Sequence, residues 1–566
     1  IQNCHNVSTT SSGGGVKLFG AGTTLQNCII TACTSATGGT GASAGITLTG
    51  GATLKDSYIH HNTNASTAGG VSVYGNTCVV SGCKIDNNTA TDGGGLYLYS
   101  NTSGVSISNC SFNSNSSTSA ANGGAAIGSY VTVTNALPIS IADCSFSSNT
   151  AVNSGGAIFL DVRAASTLNI TRCTFTTNTS SAASTSAKGG GAIIANNCVL
   201  IIDKCSFTGN QSISGGGAVL LANASTTITA SKFIANSAAG NSGGSAIYCK
   251  TNYTANNCLF ADNTGSTPIH FYTSTAVSTF QNCTFANNLT SAAAAAPIQL
   301  LNIGAGPTYP KYVFSNCLFY NVSGFSAQSG PTTTTCASDK ALSSISIKTI
   351  TAADFVDATN ATVASRNYQL STTSLAIDAG TDLTNATSPV TKDILDVTRP
   401  QGGAYDIGAY ELPFYNTTVT FNSFGTVNSY TTGDVDLKAQ GTQLAFTITP
   451  NPGYKITSVL YNGTEVKGDI VGGVYTAPAI VANATLVVQF DLATGLEKAQ
   501  NDFQCFSGNQ SVEVRGAKVG DEISIFSING AKIKSAKVNS NNMSIPLTQG
   551  MYFVRIANSI QKVAIK

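Results

Sequence analysis

The chain has little charge: Asp, Glu, Lys and Arg make up only 9% of its 566 residues, and the formal net charge is +1. A neutral chain does not attract nucleic acid or an anionic membrane surface, so neither is expected as a partner. Solubility must come instead from Ser, Thr and Asn side chains. No apolar run is long enough to cross a bilayer, so no membrane span is predicted.

Acidic groups are especially scarce, because no Glu precedes Glu411 and the few earlier aspartates are scattered. Enzymes that cleave polysaccharides need clustered acids, a base and often calcium. The glycine runs precede strand-like segments rather than helices, which argues against a nucleotide-binding loop. We therefore predict no catalytic centre, no bound metal and no cofactor.

What the chain does have is a repeat of 24 to 34 residues. Its second half has the pattern Cys-x-Phe-x-x-Asn, and a pair of glycines, such as Gly155-Gly156, forms its first half. Self-similarity of this period is typical of solenoid architectures. Clear copies of the second half begin at Cys110, Cys144, Cys173, Cys205, Ser231, Cys258 and Cys283, and looser copies begin at Cys4, Cys28, Ser57, Cys83 and Cys317.

Each repeat contains short β-runs broken by Gly, Asn, Ser and Thr, with no amphipathic segment of helical length. Three short strands and three turns per repeat describe one coil of a parallel β-helix. The predicted fold class is therefore all-β: a right-handed parallel β-helix of about 12 coils at residues 1–338, followed by small β-domains. Residue 1 already lies inside a repeat and no signal peptide is visible, so further coils and an export signal are expected upstream.

The repeated residues have predicted places in the coil. Cys and Phe are two apart, so both point inward and stack on their copies about 4.8 Å away. The Asn should bond to the Asn of the next coil, and the glycines allow positive φ or close backbone approach. The stacked thiols are predicted to be free and buried; a Cys78–Cys83 or Cys198–Cys205 disulfide is the alternative.

The paired motifs Gly155-Gly-Ala-Ile158 and Phe175-Thr-Thr-Asn178 resemble the tetrapeptides of polymorphic outer-membrane proteins. Those proteins are β-helical surface adhesins. The resemblance implies the fold and, by analogy only, an adhesive role.

Residues 339–412 resemble the short module that closes many secreted bacterial β-helices. Its signatures here are Ala376-Ile-Asp-Ala-Gly380 and Asp406-Ile-Gly-Ala-Tyr-Glu411. We expect this module to cover the last open edge of the solenoid. Asp378, Arg399, Asp406 and Glu411 could form a metal or catalytic cluster; the alternative is that Arg399 pairs with a carboxylate and fixes the cap.

Two further regions follow. Residues 413–492, with Thr449-Pro-Asn-Pro-Gly-Tyr454, resemble the divergent B-repeat of bacterial surface proteins, a small β-domain that acts as a spacer. Residues 493–502 are predicted to be a linker.

Residues 503–566 are predicted to form a small β-sandwich, with Asn529-Gly530 as a hairpin turn. The segment from Leu547 to Ile556 and the ending Lys562-Val-Ala-Ile-Lys566 resemble the C-terminal sorting domain of type IX secretion cargo. The resemblance implies a Bacteroidetes-type bacterium, the type IX outer-membrane machinery as partner, and a secreted or cell-surface location. The residues assigned to this sorting signal are Gly550, Tyr552, Lys562, Val563 and Lys566.

Two groups of residues could carry chemistry in the coil. His60 and Asp86 each lie three residues after a ladder position, so they should stack on adjacent coils, as a general base, half a metal site or a surface polar stack. Tyr74, Tyr97 and Tyr99 could bind a glycan or pack. We predict that the protein is not an enzyme but an adhesin or structural stalk; the alternative is a carbohydrate-active enzyme such as a polysaccharide lyase.

Overall fold

The computed structural model describes residues 1–6, 14–35, 43–99, 103–119, 123–131, 138–162, 167–181, 189–222, 224–239, 243–265, 267–271, 277–288, 301–303, 311–322, 332–342, 347–386, 389–493 and 503–566. Two compact units form: Ile1–Phe414 with Ala439–Thr442, and Tyr415–Lys438 with Gln443–Lys566. The first unit is a parallel β-helix with a module packed on its side, and the second is all antiparallel or mixed β-structure.

Four parallel sheets build the β-helix, and they are numbered here by their order after the glycine pair. Sheet 1 consists of Val16–Phe19, Ile46–Thr49, Val71–Tyr74, Leu96–Leu98, Ile127–Val131, Ile158–Val162, Ile193–Asn196, Val219–Ala222, Gly244–Cys249, Thr267–Phe271 and Leu301–Ile303. Sheet 2 consists of Thr24–Gln26, Thr53–Lys55, Val79–Ser81, Ser106–Ser108, Ile139–Ala142, Thr167–Thr171, Val199–Asp203, Ser225–Thr229, Tyr253–Asn256, Val277–Gln281, Lys311–Ser315 and Thr332–Thr334.

Sheet 3 carries the repeated Phe. It consists of Ile29–Thr31, Tyr58–His60, Lys84–Asp86, Ser111–Asn113, Ser145–Ser147, Thr174–Thr176, Ser206–Thr208, Lys232–Ile234, Leu259–Ala261, Thr284–Ala286, Leu318–Tyr320, Cys336–Ser338 and Ile347–Thr349. Sheet 4 consists of His5–Asn6, Thr34–Ser35, Thr63–Asn64, Thr89–Ala90, Ser116–Ser117, Thr150–Ala151, Thr179–Ser180, Gln211–Ser212 and Ser237–Ala238.

Sheet 4 corrects the prediction of three strands per coil. Its strands have only two residues each, directly after the Asn of the repeat. A two-residue strand contains no alternation that a sequence pattern could reveal. The chain nevertheless pairs there in register from coil to coil, as Thr179 does with Gln211.

The repeated residues occupy the predicted places. The Phe rings stack from Phe112 to Phe285 with centroids 4.7–5.0 Å apart. Each buried Asn donates from Nδ2 to Oδ1 of the next one, at 2.9–3.1 Å, in a ladder formed by Asn62, Asn88, Asn115, Asn149, Asn178, Asn210, Asn236, Asn263 and Asn288. The fold class is therefore confirmed, with one continuous core inside the coil.

The cysteines are free thiols, including Cys78, Cys83, Cys198 and Cys205, for which disulfides were the alternative. The ladder thiols are more than small apolar groups, because they also meet backbone polar atoms. The N–H of Cys173 donates to Sγ of Cys205 at 3.4 Å, and the N–H of Cys205 donates to Oγ of Ser231 at 3.0 Å. A weak acceptor is needed at this corner, which explains why Ser can replace Cys.

The glycine pair serves two purposes. Gly155 has a φ of +65°, which favours glycine. A Cβ on Gly156 would lie 2.0 Å from the carbonyl oxygen of Gly191 on the next coil. Only glycine fits where the two backbones approach so closely.

The module after the β-helix contains the 3-10 turns Ala352–Asp354 and Val363–Ser365 and the strands Phe355–Asp357 and Asn367–Leu370. Its contacts extend along the side of the coils, well beyond the last edge that it was expected to cover. Outward-facing Leu259, Ala261, Ala286, Leu318 and Ala337 of sheet 3 share a buried cluster with its apolar side chains. These coil residues replace the polar residues that earlier coils place on the same face.

The second unit contains two pairs of sheets. Phe414–Phe421, Asp434–Ala439, Tyr454–Tyr461, Thr464–Glu465 and Ala484–Leu492 form one sheet, Gly425–Val427, Ala445–Pro450 and Val474–Thr476 form another, and Lys467–Asp469 is a 3-10 turn. Near the C-terminus, one sheet consists of Gln504–Gly508, Ser511–Arg515 and Asn542–Pro546, and the other of Glu522–Ser527, Lys532–Lys537, Gly550–Ile556 and Ser559–Ile565. The predicted boundaries between the domains, and the resemblance of residues 413–492 to a divergent B-repeat, stay predictions.

Candidate functional site

The register of sheet 3 places His60 directly beside Asp86, because their strands pair residue for residue. His60 Nδ1 lies 2.7 Å from Nδ1 of His61 and 3.1 Å from Oγ1 of Thr31. Asp86 accepts a hydrogen bond from the Asn113 N–H at 3.2 Å. Among the described residues, no hydrogen bond joins the His60 ring to the Asp86 carboxylate.

The surroundings of this pair shift both titrations. The pKa of His60 is lowered, first by partial burial and then by the neighbouring His61, while the Asp86 carboxylate opposes the shift. Burial raises the pKa of Asp86. The ring of Tyr58 stacks on His60 with centroids 4.1 Å apart, which holds the imidazole against the sheet. A neutral imidazole at neutral pH can accept a proton, so the pair has the chemistry of a general base.

A polar groove of about 510 Å³ lies over the corner that precedes sheet 3. The ladder thiols Cys83, Cys110 and Cys144 lie at this corner. Polar side chains line it, and Arg172 binds Asp143 through two hydrogen bonds of 2.7 Å. The remaining polar residues along it are Lys84, Asn109, Ser111, Ser145 and Thr174. Sequence reasoning missed this groove, because its residues vary from one copy of the repeat to the next.

Tyr74 and Tyr97 of sheet 1 lie together with Tyr99, which directly follows the strand of Tyr97. Tyr97 and Tyr99 are buried, with ring centroids 4.8 Å apart, and Tyr74 packs against Tyr99 at 5.8 Å. The hydroxyl of Tyr99 also bonds to Thr67. Burial leaves Tyr74 as the accessible member of the group, so the structure does not present a row of exposed rings here.

In the module on the side of the coil, Arg399 and Glu411 form a fully buried ion pair of 2.7 Å. Arg399 also donates to the carbonyl oxygens of Asp406 and Gly408, at 3.0 and 2.8 Å. The Asp406 carboxyl accepts the N–H groups of Asp378 and Leu412. These contacts use the charged groups to fix the module's own backbone. In the part of the chain that the structure describes, no group of three or more His, Cys, Asp or Glu side chains could hold a metal ion.

A second polar network, missed by the sequence analysis, attaches the module to the coil. Arg366 pairs with Asp262, and the Tyr368 hydroxyl donates to the same carboxylate at 2.9 Å. Burial raises the pKa of Asp262, and its two partners oppose that shift. Corner amides add to the attachment: Asn282 donates to the Asp406 carbonyl at 3.1 Å and Asn316 to the Thr381 carbonyl at 2.7 Å. The signal in the sequence was the change from polar to apolar residues flanking Phe260 and Phe319.

The residues assigned to the sorting signal divide into two groups. Tyr552 and Val563 lie in the buried core between the C-terminal sheets, and the Tyr552 hydroxyl donates to the Thr548 carbonyl at 3.1 Å. Gly550 begins the strand that contains Tyr552. Lys562 and Lys566 are exposed.

Comparisons with known proteins agree with these regions. Residues 1–233 match the family described as a right-handed beta helix region, and residues 506–566 match the secretion system C-terminal sorting domain. A comparison with curated proteins found no match. Among the described residues, no helix has the length and apolarity to span a membrane. The chain is thus a right-handed β-helical protein with a type IX C-terminal sorting domain, exported to the cell surface or secreted.

Proposed function

We propose that the exported β-helix acts as an adhesin or structural stalk. As an adhesin, it would bind a glycan in the polar groove over Cys83, Cys110 and Cys144. The repeated residues are occupied in holding one coil to the next. A ligand must therefore be bound by the variable outward residues between them. The observation that supports the proposal is the groove itself, where such residues line a surface above the repeated Cys corner of the β-helix.

The lining of the groove suits a sugar. Lys84, Asn109 and Ser111 offer donors and acceptors, and the Asp143–Arg172 ion pair offers a planar charged edge. Hydroxyl groups of a glycan bind side chains of this kind through paired hydrogen bonds. The groove is open to solvent rather than enclosed, which favours an extended chain over a small molecule.

A glycan array with the purified full chain tests the proposal. We expect binding that falls at least tenfold in the double variant Lys84→Ala/Asn109→Ala. Lys348→Ala, an exposed lysine on the same sheet outside the groove, is the matched control and should bind normally. Binding that is equal in both variants would place the ligand elsewhere, and the absence of binding in the wild-type chain would leave only the stalk role.

A second candidate function is a carbohydrate-active enzyme, favoured by the register of His60 beside Asp86 and by the lowered pKa of the imidazole. A panel of acidic polysaccharides, with and without calcium, tests it. Product formation that disappears in His60→Ala and Asp86→Ala but not in His5→Ala would establish catalysis. No product from the wild-type chain would reject it.

A further inference from the structure

The sorting domain is the basic part of a chain that is nearly neutral as a whole. Residues 503–566 contain eight Lys or Arg and three Asp or Glu, a balance of +5 against +1 for the whole chain. A charge imbalance confined to 64 residues acts locally, because salt screens it beyond about 8 Å at physiological ionic strength. The position of these charges on the folded domain therefore matters more than their number.

Most of them lie on one face. Ile523, Ile525, Val554 and Ile556 of the four-stranded sheet point into the core, so the alternate residues point outward. The basic residues on this outer face are Lys532, Lys537, Arg555, Lys562 and Lys566, and Glu522 is its one acidic residue. The outer face of the three-stranded sheet carries Arg515 and Glu513, which balance.

The same outer face is also apolar at its centre. Phe526 and Phe553 are directly opposite each other on neighbouring strands, and the row continues to Lys532 on one side and Lys562 on the other. Both rings are half-buried. Met551 and Ile560 beside them are 43% and 44% exposed. An apolar centre with a charged rim, rich in aromatic residues, Met and Arg, is the usual anatomy of a protein–protein interface.

We propose that this outer face, defined by Phe526, Phe553, Met551, Arg555 and Lys562, is the surface by which the secretion machinery binds the sorting domain. Its partner is a protein surface with an apolar centre and carboxylates at its rim. This inference rests on the export assignment and not on the proposed ligand of the coil. It also divides the sorting signal: Tyr552 and Val563 maintain the fold of the domain, and Lys562 and Lys566 contact the partner.

An anionic lipid surface is the competing partner, and the shape of the face argues against it. The basic residues Lys532 and Lys562 lie on either side of the two rings, on neighbouring strands of the same sheet. Apolar side chains that are half-buried in a sheet cannot reach below lipid headgroups as the apolar face of an amphipathic helix does. They can pack against a complementary protein surface, where basic residues steer the encounter.

The test compares two double variants of the full chain in a bacterium that carries the secretion system. Arg555→Glu/Lys562→Glu reverses two charges on the proposed face. Arg515→Glu/Lys518→Glu reverses two exposed charges away from it and changes the net charge by the same amount. We expect the first variant to accumulate in the periplasm, with surface display reduced at least tenfold, and the control to be displayed within twofold of the wild type.

Normal display of both variants, or equal retention of both, would overturn the proposal. Because a retained variant could be misfolded, the purified chains are also compared by thermal unfolding, and Phe553→Gln provides a second variant that leaves the charge unchanged; its normal display would likewise contradict the proposal. Binding of the wild-type chain, but not of Arg555→Glu/Lys562→Glu, to phosphatidylglycerol vesicles at physiological salt would overturn it in favour of a lipid partner.

Discussion

At the scale of single residues, the coil depends on side chains that satisfy backbone groups at its corners. Thr177 precedes the ladder residue Asn178 and has a φ of +52°, a left-handed conformation that costs a non-glycine residue about 1–2 kcal/mol. The N–H of Thr177 donates to the next coil at 3.0 Å, and the side chain of Asn178 takes part in four hydrogen bonds, so the ladder offsets this cost.

We therefore predict that Asn178→Ala destabilises the coil by at least about 3 kcal/mol. The substitution leaves the buried N–H of Asn149 without a partner, which costs about 1–3 kcal/mol. It also removes the bonds of the Asn178 side chain with Nδ2 of Asn149, the Phe146 carbonyl and Oδ1 of Asn210, each worth about 0.5–1.5 kcal/mol. The midpoint of urea unfolding, followed by circular dichroism, measures the effect. The neighbouring exposed Thr177→Ala is the control, and equal midpoints for the two variants would refute the role of the ladder.

The sequence was enough to predict this ladder because its residues are repeated. The inward Cys, Phe and Asn positions, the free thiols and the approach of the glycines all followed from spacing and from the two-residue period of a strand. The left-handed corners at Arg172 and Thr177 did not, because no side chain there is typical of that conformation. The polar groove was missed for a related reason: its polar side chains occupy positions that the repeat leaves variable.

At the scale of elements, one coil of the β-helix is the unit that can be removed or added. Each coil contacts only its neighbours, as in other solenoids, so the stability of the array is roughly a sum over coils and their interfaces. The sequence predicted the coil but not its fourth strand. It also placed the following module at the end of the array, because the repeat pattern does not reveal that the outward Leu259 and Leu318 form the surface on which the module packs.

Deleting residues 144–172 should remove one coil in register. Asp143 would then precede Cys173 as Arg172 does now, and the Phe and Asn columns would close over the gap. We expect a folded chain with a single cooperative thermal transition and normal surface display. Deleting residues 144–158, about half a coil, exchanges inward and outward positions and should abolish the transition. Equal behaviour of the two deletions would contradict the register.

The module on the side of the coil should lose stability as pH rises. Burial, and then the nearby Glu411 carboxylate, raise the pKa of Asp406 to about 7 from an ordinary value of 3.8. Because the folded chain keeps this proton to higher pH than the unfolded chain does, the contribution is full below about pH 4 and is lost as pH rises through 7. Glu411 and Asp393 are shifted in the same direction by burial.

Scanning calorimetry between pH 5 and pH 8 checks this sign. We expect the unfolding temperature of the wild-type chain to fall over this range relative to that of Asp406→Asn, which lacks the titrating proton. Other titrating groups contribute equally to the wild type and the variant, so the comparison removes their effect on the unfolding temperature. His60 is one of them, and its lowered pKa makes the stability rise with pH. A difference that is constant with pH, or that grows in favour of the wild type, would show that Asp406 is ionised in the folded chain.

At the scale of the whole molecule, the chain combines a β-helical array with a short C-terminal domain that directs its export. The repeated residues within positions 1–338 hold the β-helix together, so the ligand that we propose would contact the residues between them. Export depends on residues 503–566. Their family match and their buried core agree with the sorting domain that the sequence of the last strands predicted. The central claim is that the β-helix reaches the cell surface because the type IX machinery recognises residues 503–566.

Digestion of intact cells by an added protease measures this claim most directly. We predict that the full chain is cleaved at the cell surface, whereas a chain lacking residues 503–566 is protected until the outer membrane is permeabilised. An antibody against the β-helix detects the undigested chain in intact cells and in permeabilised cells. Cleavage of the truncated chain on intact cells, to the same extent as the full chain, would contradict the account.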